Sequence, residues 1–195
     1  SVFRLSDVRF LGALLILLAI AGSLRFYELG SPSYWSDEMF QIRDAVGKPK
    51  PGYIETRWGM LLAGVDVESM EPEGYGGFKA QGLTEFNGRL AAASIGTLSV
   101  ALLAFLLVPV VGRGAALATV ALLTTCTWHI EWSQSARFYV PMFLYYNTAL
   151  LAYFVASERR SMPLLVLALF AACLAIAAKP TSLMLFGVIA VDALV

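Results

Sequence analysis

Apolar residues arrive in long runs along this chain, and polar residues punctuate them. The first run, Phe10 to Leu24, extends through Tyr27 if Arg25 snorkels its guanidinium to the interface. Residues 28–88 are polar, and further apolar runs follow to the last residue, Val195. None alternates as barrel strands do, and in lipid only helices or closed barrels satisfy their own backbone. The pattern predicts an all-α fold: a polytopic transmembrane helical bundle of about six spans. These are 10–27, 90–111, 115–130, 138–156, 163–178 and 182–195, with a long loop, 28–88, after the first. Gly112-Arg113-Gly114, Ser157–Ser161 and Lys179-Pro180 mark turns, and Pro141 stands near a helix start, where a missing donor costs little. No small-x-small cleavage site precedes a suitable mature start, so the first helix is expected to be retained. The chain opens at Ser1 and closes on Val195 within an apolar run, which reads as the front part of a longer protein.

Composition agrees. Hydrophobic residues make up 58% and charged residues 14%, against roughly a quarter charged in soluble domains. A formal net charge of zero argues against a nucleic-acid partner, which needs a basic face. Cys126 and Cys173 lie in apolar runs and are expected to be buried free thiols.

Residues 28–88 hold ten of the fourteen acidic residues against five basic ones, and Gly/Pro clusters near 47–52 and 72–77 divide them. Within this stretch Trp58 to Val67 is apolar yet too short to span, which predicts an interfacial helix. A loop of this length usually carries function. With the N-terminus in the cytoplasm, Arg4, Arg9, Arg113, Arg159 and Arg160 flank the inside; Arg25, Arg89, Arg137 and Lys179 flank the outside. This small excess favours an outer loop and places Glu131–Arg137 and Lys179 on the same face.

Candidate chemistry gathers there. Asp37 and Glu38 form a carboxylate pair beside Tyr34 and Trp35, shortly after the first span ends; the bland alternative is two solvated loop carboxylates. Arg137, beside Phe138 and Tyr139, is either an interfacial anchor or a phosphate binder, since guanidinium holds phosphate with paired donors. Arg89 carries the same two readings, and Lys179 either marks the outer end of a helix pair or approaches a lipid phosphate. His129 is the single histidine, expected to be hydrogen-bonded rather than to ligate a metal, and Gly96 among Ala93, Ser94 and Thr97 reads as helix packing.

The stretch Leu24-Arg25-x-x-x-Leu29-Gly30-x-x-Ser33-x-Trp35-x-Asp37-Glu38 resembles the first outer loop of the family 39 membrane glycosyltransferases. These are the protein O-mannosyltransferases and the aminoarabinose transferases, of the GT-C fold. Arg89-Leu90, Gly96-Thr97, Gly112-Arg113-x-Ala115-Ala116-Leu117 and Ile130-x-x-Ser133-Gln134-x-Ala136-Arg137-x-Tyr139 continue the resemblance in order. The chain departs where relatives carry a Pro-Pro-aromatic step: it has Glu71-Pro72-Glu73-Gly74-Tyr75-Gly76-Gly77. The resemblance implies a polyprenyl-phosphate-linked sugar as donor, a protein or lipid hydroxyl as acceptor, and inversion at the anomeric carbon. Asp37 would be the catalytic base and Glu38 its orienting partner. Arg137, with Lys179 and Arg89, would bind the donor phosphate, and Trp35 and Tyr139 the substrate. No cofactor and no metal are implied, and the location would be a multi-pass protein of a prokaryotic plasma membrane. The alternative is a non-enzymatic polytopic protein, such as a lipid-linked sugar flippase part or a scaffold. A transporter would more often set ionisable residues at mid-span, within repeats.

Overall fold

A computed structural model describes residues 8–47, 50–73 and 77–194. The flanking Arg4, Lys48, residues 74–76 of the departure and Val195 lie outside the described residues. Eight α-helices dominate: α1 Val8–Phe26, α2 Ser36–Gly47, α3 Ile54–Leu62, α4 Glu85–Thr125, α5 Thr127–Ser133, α6 Tyr139–Arg159, α7 Met162–Ala178 and α8 Met184–Leu194. Three of them, α1, α4 and α6, are long and apolar enough to cross a membrane, while α7 and the segment Pro180–Ala190 are shorter apolar helices.

The two expected spans 90–111 and 115–130 form one element. α4 runs for 41 residues from a Thr84 cap, whose hydroxyl accepts the Asn87 N–H at 3.2 Å. A straight helix of that length would measure about 60 Å, twice a bilayer core. Gly112, at φ 79°, breaks it into two legs; a side chain at that φ would be strained. The legs double back, since Val100 and Leu103 share a core with Val120 and with Phe10, Leu14 and Ala21 of α1. The second leg ends at Thr125, short of the expected Ile130, and Cys126 turns the chain into α5. α6 and α7 meet through small residues, Ala149 against Ala171 and Ala172, which allow close helix approach.

Both cysteines are exposed, contrary to expectation. In a bundle whose outer surface is itself apolar, an apolar run has an outward face as well as a core face. Arg25 also departs from the snorkelling expectation: it is 0% exposed and points into the bundle.

The described part of the stretch 28–88 is a folded cap. Ile42 and Ala45 of α2, Met60 of α3, Val65, Val67 and Ala80 close a small core with Ala136. A two-stranded antiparallel ribbon pairs Glu71 with Lys79. The helix expected at Trp58 to Val67 begins earlier, at Ile54, and ends at Leu62, where Gly64 (φ 81°) reverses the chain. Gly59 seats α3 on α4, because a Cβ there would lie 2.7 Å from the Ala91 Cβ. Trp58 and Leu62 face outward.

Candidate active site

Asp37 and Glu38 occupy the first turn of α2, where carboxylates suit the positive end of the helix dipole. Neighbours on a helix point about 100° apart, so the pair divides. Glu38 turns inward and is 1% exposed; the Asp37 side chain is 45% exposed.

The inward carboxylate meets Arg89. Glu38 Oε1 accepts from Arg89 Nε at 2.8 Å and from the Ala136 N–H at 2.7 Å; Oε2 accepts from Arg89 Nη2 at 2.8 Å and the Trp35 N–H at 3.4 Å. Arg89 Nη1 donates to the carbonyls of Leu29 (3.0 Å) and Pro32 (2.7 Å), and Nη2 to Ser33 (3.3 Å). All five of its N–H groups are thereby committed inside the protein, so its donors are not free for the phosphate role expected of it. Glu38 is likewise committed: it joins the first-loop segment to α4 and to the backbone beside Arg137. Tyr34 lies under the Arg89 guanidinium at 5.2 Å and donates to the Thr84 carbonyl. Burial holds its phenol above the ordinary range. Gly88 makes room for it, since a Cβ there would collide with the Tyr34 hydroxyl.

The outward carboxylate meets Arg137. Arg137 Nη1 lies 3.2 Å from Asp37 Oδ2 and donates to the Asp37 carbonyl at 2.9 Å. The guanidinium sits 5.2–5.6 Å from the ring centres of Phe138, Tyr139 and Trp35, and its buried Nε finds no partner among the described residues. Lys179 follows α7 and places Nζ 4.9 Å from the centre of the same Phe138 ring. Gly52 (φ 89°) brings the cap onto this ring: a Cβ there would lie 2.9 Å from the Phe138 Cβ and 3.5 Å from the Ala178 Cβ. Asp37, Arg137, Lys179, Trp35 and Tyr139 thus gather at one end of the bundle, as their shared face in the sequence implies.

Trp132 and Phe138 join this group, although neither is among the expected site residues. Trp132 stacks near Tyr139 (4.2 Å between centres) and Trp35 (6.3 Å); the spacing of Trp128 and Trp132 on one helix face was the available signal. A cleft of about 620 Å³ opens between residues 32–35 and α5. Trp35 Nε1 donates across it to Ser135 Oγ at 3.4 Å.

Behind the cleft, Arg25 is held by carbonyls of Ala21 (3.1 Å), Leu123 (3.2 Å) and Thr124 (3.4 Å), the last two at the negative end of α4. Its Nη2 lies 2.8 Å from His129 Nδ1. Arginine only donates, so Nδ1 accepts and the proton of the neutral ring sits on Nε2, 3.4 Å from Ser99 Oγ. Burial, then the Arg25 charge, pushes His129 down to about 4. Gly96 gives this cluster room, because a Cβ there would strike Ser133 Oγ. No group of three His, Cys, Asp or Glu side chains suited to a metal lies among the described residues.

No family model, curated protein or solved structure matches the chain.

Proposed function

We propose that this chain belongs to a membrane glycosyltransferase of the family 39 kind, with about six spans in a GT-C-like bundle. The enzyme moves a sugar from polyprenyl phosphate to an acceptor hydroxyl, at the outer face of a prokaryotic plasma membrane. The observation that carries the reading is the Asp37–Arg137 pair with Lys179 across Phe138. An accessible carboxylate pairs with Arg137, whose buried Nε–H has no partner among the described residues, and Lys179 lies against the same Phe138 ring as Arg137.

In this reading Asp37 accepts the proton of the acceptor hydroxyl as its oxygen bonds to the anomeric carbon. The bond from that carbon to the phosphate oxygen breaks, and polyprenyl phosphate departs with the electron pair. Base and leaving group act on opposite faces, which inverts the centre. Arg137 and Lys179 hold the phosphate charge as it grows. A donor phosphate also competes with Asp37 for Arg137, freeing carboxylate lone pairs for the acceptor proton. An apolar groove of about 500 Å³, with Pro51, Trp58, Leu62, Leu90, Ile95 and Leu174 among its walls, suits a prenyl chain. Pro51 leads directly to Gly52 against Ala178, beside Lys179.

The test is single-turnover transfer from a panel of polyprenyl-phosphate sugars by full-length protein in lipid nanodiscs. Donor binding with transfer that requires Asp37 supports the reading. Failure to bind any of these donors overturns it.

A further inference from the structure

The cleft beside the site has an aromatic wall and hydroxyl-bearing flanks. Trp35 and Trp132 form the wall, with Ser33, Thr127, Glu131 and Ser135 around it. Its volume, about 620 Å³, falls in the range of about 300–1,000 Å³ for small-ligand sites. Arg89 and Glu38 also border it, but they are committed to each other. Gln134 directs its Nε2 to the carbonyls of Leu24 (3.1 Å) and Tyr27 (2.9 Å). What remains to meet a ligand is two indole faces, the hydroxyls of Ser33 and Thr127, the O–H of Ser135, whose oxygen accepts from Trp35 Nε1, and one carboxylate. No uncommitted cation lines the cleft among the described residues, so an anionic ligand has nothing to bind there.

We propose that this cleft binds the neutral saccharide end of a glycan and that this saccharide is the acceptor. Only the word acceptor rests on the glycosyl-transfer reading. The electron-rich faces of Trp35 and Trp132 attract the C–H edges of a pyranose, while Glu131 and the hydroxyls exchange hydrogen bonds with its OH groups. An ammonium headgroup fits less well. A quaternary ammonium carries no N–H to pair with the cleft's hydroxyls, whereas a sugar ring offers OH groups to them and a C–H face to the two indoles, whose centres lie 6.3 Å apart with the rings tilted by 47°. They make a bent floor, suited to a flat ring. Trp35 is the partition between this cleft and the reacting end, since its other neighbour is the Arg137 guanidinium, 5.6 Å away, paired with Asp37.

The experiment is calorimetric titration of full-length protein in nanodiscs with mannotriose, maltotriose, chitotriose and choline, alongside Trp132→Ala and the solvent-exposed Glu131→Gln. At least one saccharide should bind, with affinity falling about tenfold or more in each variant, and should receive sugar in the transfer assay. If no saccharide binds while a peptide or lipid hydroxyl is glycosylated, this proposal is wrong and the transferase reading stands. Saccharide binding that the variants abolish, with no transfer from any bound donor, overturns the acceptor role and the transferase reading but keeps the sugar site. Binding unchanged in both variants, or choline binding in its place, overturns the assignment of the cleft.

Discussion

Asp37 and Arg137 lie a hundred residues apart in sequence and meet at 3.2 Å, where the Asp37 carbonyl takes a second bond from the same nitrogen. The pair joins the start of α2 to the turn before α6, so the two sides of the proposed reaction are held by one contact.

The two residues are expected to fail differently. Asp37→Asn keeps shape and removes the base, so turnover should fall on the order of 10²–10⁴-fold with donor binding near wild type. Arg137→Ala removes a partner of the bound phosphate and should weaken both donor binding and turnover, by about 1–3 kcal/mol. Donor-binding titrations and single-turnover transfer on both variants decide this. Near wild-type transfer by Asp37→Asn would reduce Asp37 to a cap carboxylate.

Glu38→Ala should act on stability first. Removing one member of a buried ion pair leaves the other charge uncompensated, at a cost of about 3–5 kcal/mol, and here it also orphans the Ala136 N–H. A large drop in the thermal midpoint in nanodiscs is expected. Loss of activity without loss of stability would return Glu38 to a direct part in the chemistry.

His129 gives a signed pH dependence. Its folded value, about 4, lies below the ordinary 6.5, so between them the unfolded chain holds a proton that the folded chain lacks. The contribution is full above pH 6.5 and is lost as pH falls toward 4, reaching about 3 kcal/mol. Denaturation midpoints from pH 7 to 4 should fall more steeply in the wild type than in His129→Gln. Parallel curves would mean that the ring does not titrate in this way.

Sidedness has its own measurement. With Cys126 and Cys173 replaced, Lys50→Cys in the cap should react with an impermeant reagent outside the cell and Ser161→Cys should not. The opposite pattern would invert the orientation.

The apolar runs were legible because each is long, and Gly112 was legible as a turn because Arg113 and Gly114 follow it and interrupt the apolar run. The cap was not. Of its core residues, Met60, Val65 and Val67 lie in the short apolar stretch Trp58 to Val67, but their partners Ile42, Ala45 and Ala80 stand in polar sequence, so nothing local shows that these pieces share one core. The carboxylate pair stood out, yet the roles of its members turn on which one faces Arg89, a partner 51 residues away. The cysteines misled for a related reason: hydropathy does not tell a core face from an outward one.

Arg25 carries a consequence for biogenesis. Apart from Ala21, the groups that hold its guanidinium are residues 123–129, which leave the ribosome roughly 5–20 s after α1 at typical elongation rates. During that interval the arginine has to seek water or lipid headgroups at the bilayer edge. The outward posture suggested by the sequence then belongs to the nascent chain, and the inward one to the finished bundle. Burial of this one side chain is therefore a late assembly step, one that waits for the hairpin of α4 and for α5 to arrive.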